Sequence, residues 1–336
     1  MTSRKQAVLI CALAGLAATA TAVQAKPIRI GAMPYGLKAE FMQMWTNALK
    51  QDPAVKDGTV ELVVFDGNYD ALTQSNQFDT MITQKYDAII FAPIDKSAGA
   101  AAVAKAVAAH IPVVGSNTHV SGDKLTSYVG NDDVVAGRME AEAIVKAIGG
   151  KGNVVIIEGP IGQSAQIDRS KGIDEVLAQH KDVKVLENKT ANWSRAEALA
   201  LVEDWLTSHP GQINGVIAEN DEEALGAIQA MKSKGLDPKK IPVAGIDGVA
   251  DGINAAKRGE MTTFFQDAKA QSQGALDVAL RATLGASYKP RSDIWAEYGD
   301  KMPWADGTAK NYTVPWTQVT QANADEILKK VREVAQ

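Results

Sequence analysis

Four histidines, His110, His119, His180 and His209, are the first candidates for acid–base work or metal ligation, and no two stand at i,i+3 or i,i+4. The only cysteine is Cys11. Without paired His or Cys ligands, neither a transition-metal site nor any cofactor is expected. Ser164, in Gly162-Gln-Ser-Ala-Gln166, lacks the second glycine of a nucleophile elbow and reads as a loop hydroxyl that donates hydrogen bonds. The carboxylate pairs Asp132-Asp133 and Glu222-Glu223 stand at expected helix starts, where they cap or complement the dipole. No G-x-G-x-x-G follows the first strand, and no phosphate loop ends in Gly-Lys-Ser/Thr. Dinucleotide and nucleotide-driven chemistry lose their support, and an enzyme is not expected.

What remains is a scatter of amides, carboxylates and guanidinium groups, with aromatics Phe41, Trp45 and Trp193. Planar polar side chains bind hydroxyls in pairs, and aromatic faces cover the C–H patches of a sugar. Trp45 and Trp205 fit the core side of amphipathic helices. Trp193 precedes the expected helix start at Ser194 and belongs to a loop.

The elements that must position these groups alternate. Short apolar runs at Ile28–Met33, Val60–Phe65, Asp87–Pro93, Ile111–Gly115, Asn153–Glu158, Val183–Asn188, Gly215–Glu219 and Val243–Ile246 read as strands. Helical patterns separate them, over 40–51, 72–84, 100–110, 134–148, 167–180, 194–208 and 222–235. This alternation predicts α/β architecture, two doubly wound parallel-sheet lobes. Ligands of such sheets bind beyond the carboxyl ends of strands. That rule singles out Phe65-Asp66, Ala92–Asp95, Ser116-Asn117-Thr118, Gly159–Ser164, Glu219-Asn220-Asp221 and Ile246-Asp247-Gly248.

The first 25 residues carry Arg4 and Lys5, an apolar run of about 14 residues and Val23-Gln24-Ala25. A signal peptide with cleavage before Lys26 is expected, since a membrane span needs roughly 20 apolar residues. Processing leaves 311 residues, enough for two domains, with 33 Lys and Arg dispersed among 40 Asp and Glu. Nucleic acid and anionic membrane surfaces are poor partners for that balance.

Specific segments then resemble a family: Asp87-Ala-Ile-Ile-Phe-Ala-Pro-Ile-Asp95, Ile111-Pro-Val-Val-Gly-Ser-Asn117, Asp168-Arg-Ser-Lys-Gly172, Ala191-Asn-Trp-Ser-Arg195, Ala218–Ala227 and Val243-Ala-Gly-Ile-Asp-Gly248. The chain resembles the type I, ribose-binding-like periplasmic sugar-binding proteins of ABC transporters. The resemblance implies a monomer in the periplasm, binding a small neutral sugar or polyol and serving a membrane permease; a sensor for a chemoreceptor or signalling receptor is the alternative, and after it a periplasmic enzyme on the same fold. It implies ligand contacts from Arg169, Asn220, Asp247 and Gln266, with Trp193 as an aromatic platform. Asn117 and Asp66 join them at strand ends, and Phe41 stands in for the aromatic that the loop Pro34–Phe41 otherwise lacks. The implied lobes are residues 27–130 with 267–294 and residues 131–266 with 295–336. They would meet at a three-crossing hinge near Asn131, Gln266 and Ile294, with residues 295–312 an insertion.

Overall fold

The computed structural model describes residues 26–335, so the expected signal segment lies outside the described residues. The chain begins β1 (Ile28–Met33), α1 (Glu40–Lys50), α2 (Pro53–Lys56), β2 (Val60–Val64), α3 (Ala71–Thr83), β3 (Ala88–Phe91), α4 (Lys96–Ala108), β4 (Val113–Ser116) and β5 (Ser127–Gly130). Helix and strand alternate again through α5 (Asp133–Ala147), β6 (Gly152–Glu158), α6 (Ser164–Leu177), β7 (Val183–Thr190), α7 (Arg195–Ser208), β8 (Gly215–Ala218), α8 (Asp221–Ser233), β9 (Val243–Asp247), α9 (Ala250–Lys257) and β10 (Thr262–Phe265). A final stretch carries α10 (Ala268–Leu284), α11 (Ile294–Tyr298), β11 (Asn311–Thr313), β12 (Thr317–Gln318) and α12 (Ala324–Ala335).

These elements build two six-stranded sheets. The first has the order β11-β5-β4-β3-β1-β2, all parallel. The second has the order β12-β10-β9-β8-β6-β7, parallel except for β12. The two lobes therefore repeat one topology apart from the direction of the last edge strand, and in each the crossover direction reverses beside the lobe's first strand, opening a crevice there. Sequence shows why the inner strands are central: every residue of β3, β4, β8 and β9 is buried, as expected for strands covered on both faces. Helix starts are fixed locally. Asp95 accepts the N–H groups of Ser97 and Ala98, and Asp132 those of Val134 and Val135.

The chain passes between the sheets after Gly130, after Phe265 and between Thr313 and Thr317. The last crossing corrects the expectation of a passage near Ile294. Residues 295–313 stay with the first lobe because their aromatics bury there. Trp295 packs on Trp304 and Tyr312 with ring centroids 4.7 and 5.1 Å apart, and its Nε1 donates to Asp277 on α10 at 2.8 Å. Strand β11 then pairs with β5, covering an edge that would otherwise expose unpaired backbone groups. Helix α12 packs against both α1 and α9, touching both lobes.

Candidate ligand-binding site

The carboxyl ends of strands from both sheets face one another across a cavity. The first lobe contributes Tyr35, just past β1, and Asn117, just past β4. The second contributes Gln163 and Ala165 at the start of α6, Arg169 one turn further on, Trp193 before α7, Asn220 before α8 and Asp247 at the end of β9. Gln266, on the second crossing, closes the inner wall.

Arg169 is a buried cation held by protein groups. Its Nε donates to Asp133 Oδ1 at 2.9 Å and its Nη1 to the Glu219 carbonyl at 2.5 Å. Burial opposes its charge, but Asp133, Asp247, Glu140 and Glu219 outweigh burial and hold its pKa above the ordinary value. The guanidinium carbon lies 5.5 Å from the centre of the Trp193 ring, a cation–π distance. Asp247 accepts from Gln266 Nε2 at 2.9 Å. Burial pushes its carboxyl up to about 7 even though Arg169 pulls the other way.

Asn220 caps α8, its Oδ1 accepting the Glu223 N–H at 2.9 Å. That bond uses its oxygen and leaves the NH₂ group for the cavity. Trp193 has φ of 59°, and its backbone N–H donates to Glu223 Oε1 at 3.0 Å. Its indole N–H donates to Gln163 Oε1 at 2.7 Å. Gly159 makes room for the ring: a Cβ there would sit 2.0 Å from Cζ2.

Bonds across the crevice hold the lobes together. Lys96 N–H donates to the Gly162 carbonyl at 3.1 Å and Gln163 Nε2 to the Pro93 carbonyl at 3.3 Å. Ser164 Oγ accepts the His119 N–H at 2.6 Å, so this hydroxyl serves lobe contact, and the His119 ring is spent stacking on Tyr128 with centroids 3.4 Å apart. The cavity is about 10 Å³, room for roughly one water. Trp193 also borders a second, more open cleft of about 890 Å³, lined by Lys38, Tyr69, Asp95, Arg195 and Glu222. In this geometry a larger ligand fits only after the lobes part. No group of three or more His, Cys, Asp or Glu side chains among the described residues could hold a metal ion.

Of the residues expected from the sequence, Asn117, Arg169, Trp193, Asn220, Asp247 and Gln266 come together here. Phe41 and Asp66 do not, and both expectations are corrected. Helix α1 starts at Glu40, which turns Phe41 into the core, where it is 3% exposed. Asp66 is spent on its own turn, its Oδ1 accepting the N–H groups of Leu37 and Asn68. The aromatic of this loop is instead Tyr35, edge-on to Tyr69 at 5.5 Å. Tyr35 and Gln163 were discoverable, since both fall in loops that follow β1 and β6.

The model of the periplasmic binding protein domain family matches residues 30–287. A xylitol-binding protein of Mycolicibacterium smegmatis is 38% identical over 295 residues, covering 86% of this chain and 83% of that protein. A D-apiose import binding protein of Paraburkholderia graminis is 35% identical over 232 residues, 67% of this chain and 72% of that one. Among solved structures, an ABC transporter solute-binding protein from Bacillus halodurans with bound myo-inositol superposes with a TM-score of 0.79 at 30% identity, over 91% of this chain and 99% of that chain.

Proposed function

The chain belongs to the periplasmic binding protein domain family, and from that premise we propose that it is the solute-binding component of an ABC importer. It traps a small neutral sugar or polyol between its lobes and delivers it to a membrane permease. The observation that carries this reading is the composition of the cavity: amides, one carboxylate, one guanidinium and aromatic rings drawn from both lobes and the crossing between them. Arg169 is paired to Asp133, so the cavity faces its ligand with hydrogen-bonding capacity and little uncompensated charge. The relatives that bind xylitol and myo-inositol support a neutral, hydroxyl-rich ligand.

Binding is a hinge closure. A ligand that contacts both lobes favours the closed arrangement by its differential affinity for it, which neither lobe alone supplies. The protein acts as a monomer in the periplasm, exported by residues 1–25 and cleaved before Lys26, and it returns its ligand unaltered. A thermal-shift screen of the mature protein against xylitol, myo-inositol, D-ribose, D-apiose and D-allose tests the ligand class, because stabilisation follows RT ln(1 + [L]/Kd). Stabilisation by at least one is expected, and silence from all five overturns the carbohydrate reading. Mass analysis of the exported protein should find Lys26 at the N-terminus, and the ligand should be recovered chemically unchanged after prolonged incubation.

A further inference from the structure

Behind the cavity wall lies a chain of buried amides that touches all three crossings. Gln271, in the first turn of α10, is fully buried and does not line the cavity. Its Nε2 donates to Asn131 Oδ1 at 2.5 Å and to Gln266 Oε1 at 3.0 Å. Its Oε1 accepts from Asn117 Nδ2 at 3.2 Å, and the same Asn117 nitrogen donates to Gln266 Oε1 at 3.2 Å. Asn131 Nδ2 donates to the Val314 carbonyl at 2.7 Å. Asn131 follows β5, Gln266 follows β10 and Val314 follows β11, so one network joins the three passages between lobes.

The two ends of this network fix its polarity. The Val314 carbonyl can only accept, so Asn131 must present its NH₂ there and its oxygen to Gln271. Gln271 then presents its NH₂ to Asn131 and its oxygen to Asn117. At the other end an ionised Asp247 also only accepts, so it takes the Gln266 NH₂ and leaves the Gln266 oxygen for the same cluster. Both hydrogens of Asn117 Nδ2 are thereby used, and its Oδ1 makes no bond to protein among the described residues. Rotating Asn117 by half a turn would bring three amide oxygens together, a repulsive arrangement in a buried site. Tyr128 Oη donates to the Asn117 carbonyl at 2.8 Å and holds its backbone, which has φ of 66°.

We propose that Gln271 is a positioning residue for ligand recognition, holding the Asn117 amide so that its Oδ1 accepts from a ligand hydroxyl and tying that contact to the three hinge segments. This rests on the carbohydrate-binding reading above and adds a residue that never meets the ligand. It also assigns a chemical preference: the ligand places a donor, not an ether or carbonyl oxygen, against Asn117.

The test is a double-mutant cycle on affinity, measured by titration calorimetry with whichever of xylitol and myo-inositol binds the wild type more tightly. Gln271→Leu is expected to weaken binding at least about tenfold, equivalent to 1.4 kcal/mol. In an Asn117→Ala background the same change should cost less than about twofold, because the group it positions is gone. Losses that simply multiply would overturn the proposal and leave Gln271 a packing residue. Should Gln271→Leu fail to fold, Gln271→Met, which fills similar space without an amide oxygen for Asn117, takes its place in the same cycle and is read in the same way. If neither polyol binds the wild type, the carbohydrate reading fails separately. The proposal is then read from the Asn117 side-chain amide resonances, which must shift and lose exchange protection in the Gln271 variant and would refute it by staying fixed.

Discussion

Arg169 and Asp133 form an ion pair with Nε–Oδ1 at 2.9 Å and side chains only 4% and 3% exposed. Were Arg169 a ligand contact and nothing more, truncating it would weaken binding and spare the fold. The pair changes that expectation. Arg169→Ala or Asp133→Ala leaves one buried charge without its partner, and each should lower unfolding free energy by about 3–5 kcal/mol. Replacing both with apolar residues should cost less than the two single losses combined. Urea denaturation of the three variants checks this, and additive losses would mean the pair is not coupled.

Glu140 on α5 is fully buried, and neither carboxyl oxygen has a hydrogen-bond partner among the described residues. Burial raises its pKa well above the usual range, outweighing the attraction of Arg169. The folded form therefore keeps a proton that the unfolded chain releases near its ordinary carboxyl pKa of about 4.3. The stability this group contributes is present below that value. It is lost as pH rises, at about 1.4 kcal/mol per pH unit over which only the folded form holds the proton. Glu140→Gln should raise the melting temperature at pH 8 and flatten its dependence between pH 5 and 8.

Asp247 lines the cavity proposed to take the ligand. Burial pushes its carboxyl up to about 7, and hydroxyls donated by a bound polyol favour the ionised form. Parting of the lobes exposes both Asp247 and Glu40, whose carboxyl is also raised to about 7 by burial and by Glu222 across the cleft mouth. Closure alone therefore takes up protons, and ligand hydroxyls on Asp247 work against that uptake. Calorimetry in buffers of different ionisation enthalpy, comparing Glu40→Gln with and without Asp247→Asn, isolates the Asp247 contribution, and the added Asp247→Asn should abolish proton exchange at about pH 6.5. Exchange that persists in the double variant would mean that Asp247 does not titrate on binding.

Gly159 and Trp193 give a steric test. An added methyl at Gly159 would fall 2.0 Å from the indole, so Gly159→Ala must displace the ring that lines both cavity and cleft. Ligand affinity should fall at least about tenfold, with a shifted tryptophan emission. Unchanged affinity would make Trp193 a structural residue only.

Much of the frame was legible because buried parallel strands such as Ala88–Phe91 and Val113–Ser116 lie in or beside unbroken apolar runs, and the rule about strand ends then led to polar loops. Strand β5, Ser-Tyr-Val-Gly, and strand β10, Thr-Thr-Phe-Phe, are as long as those two but stand in no such apolar run, so nothing in the sequence marks them. Phe41 misled although the helical pattern begins at residue 40, because the start of a helix does not say which side of its first turn meets the core and which the ligand. Gln271 carried no signal at all. A glutamine within a helix reads as a solvated side chain until the backbone of three distant segments is brought around it.

The strand that completes the first sheet has a further consequence, for the order in which the molecule can assemble. Ser127 Oγ bonds the Lys310 carbonyl across 183 positions of chain, and the whole second sheet except β12 lies between them. A domain built this way cannot be finished while its own first half emerges from the ribosome. Its last edge arrives only with residue 313, and closing so long a loop makes folding slow. For a chain proposed to be exported, that delay would favour passage before folding. The earliest-made lobe lacks its last strand until nearly all of the polypeptide has been synthesised.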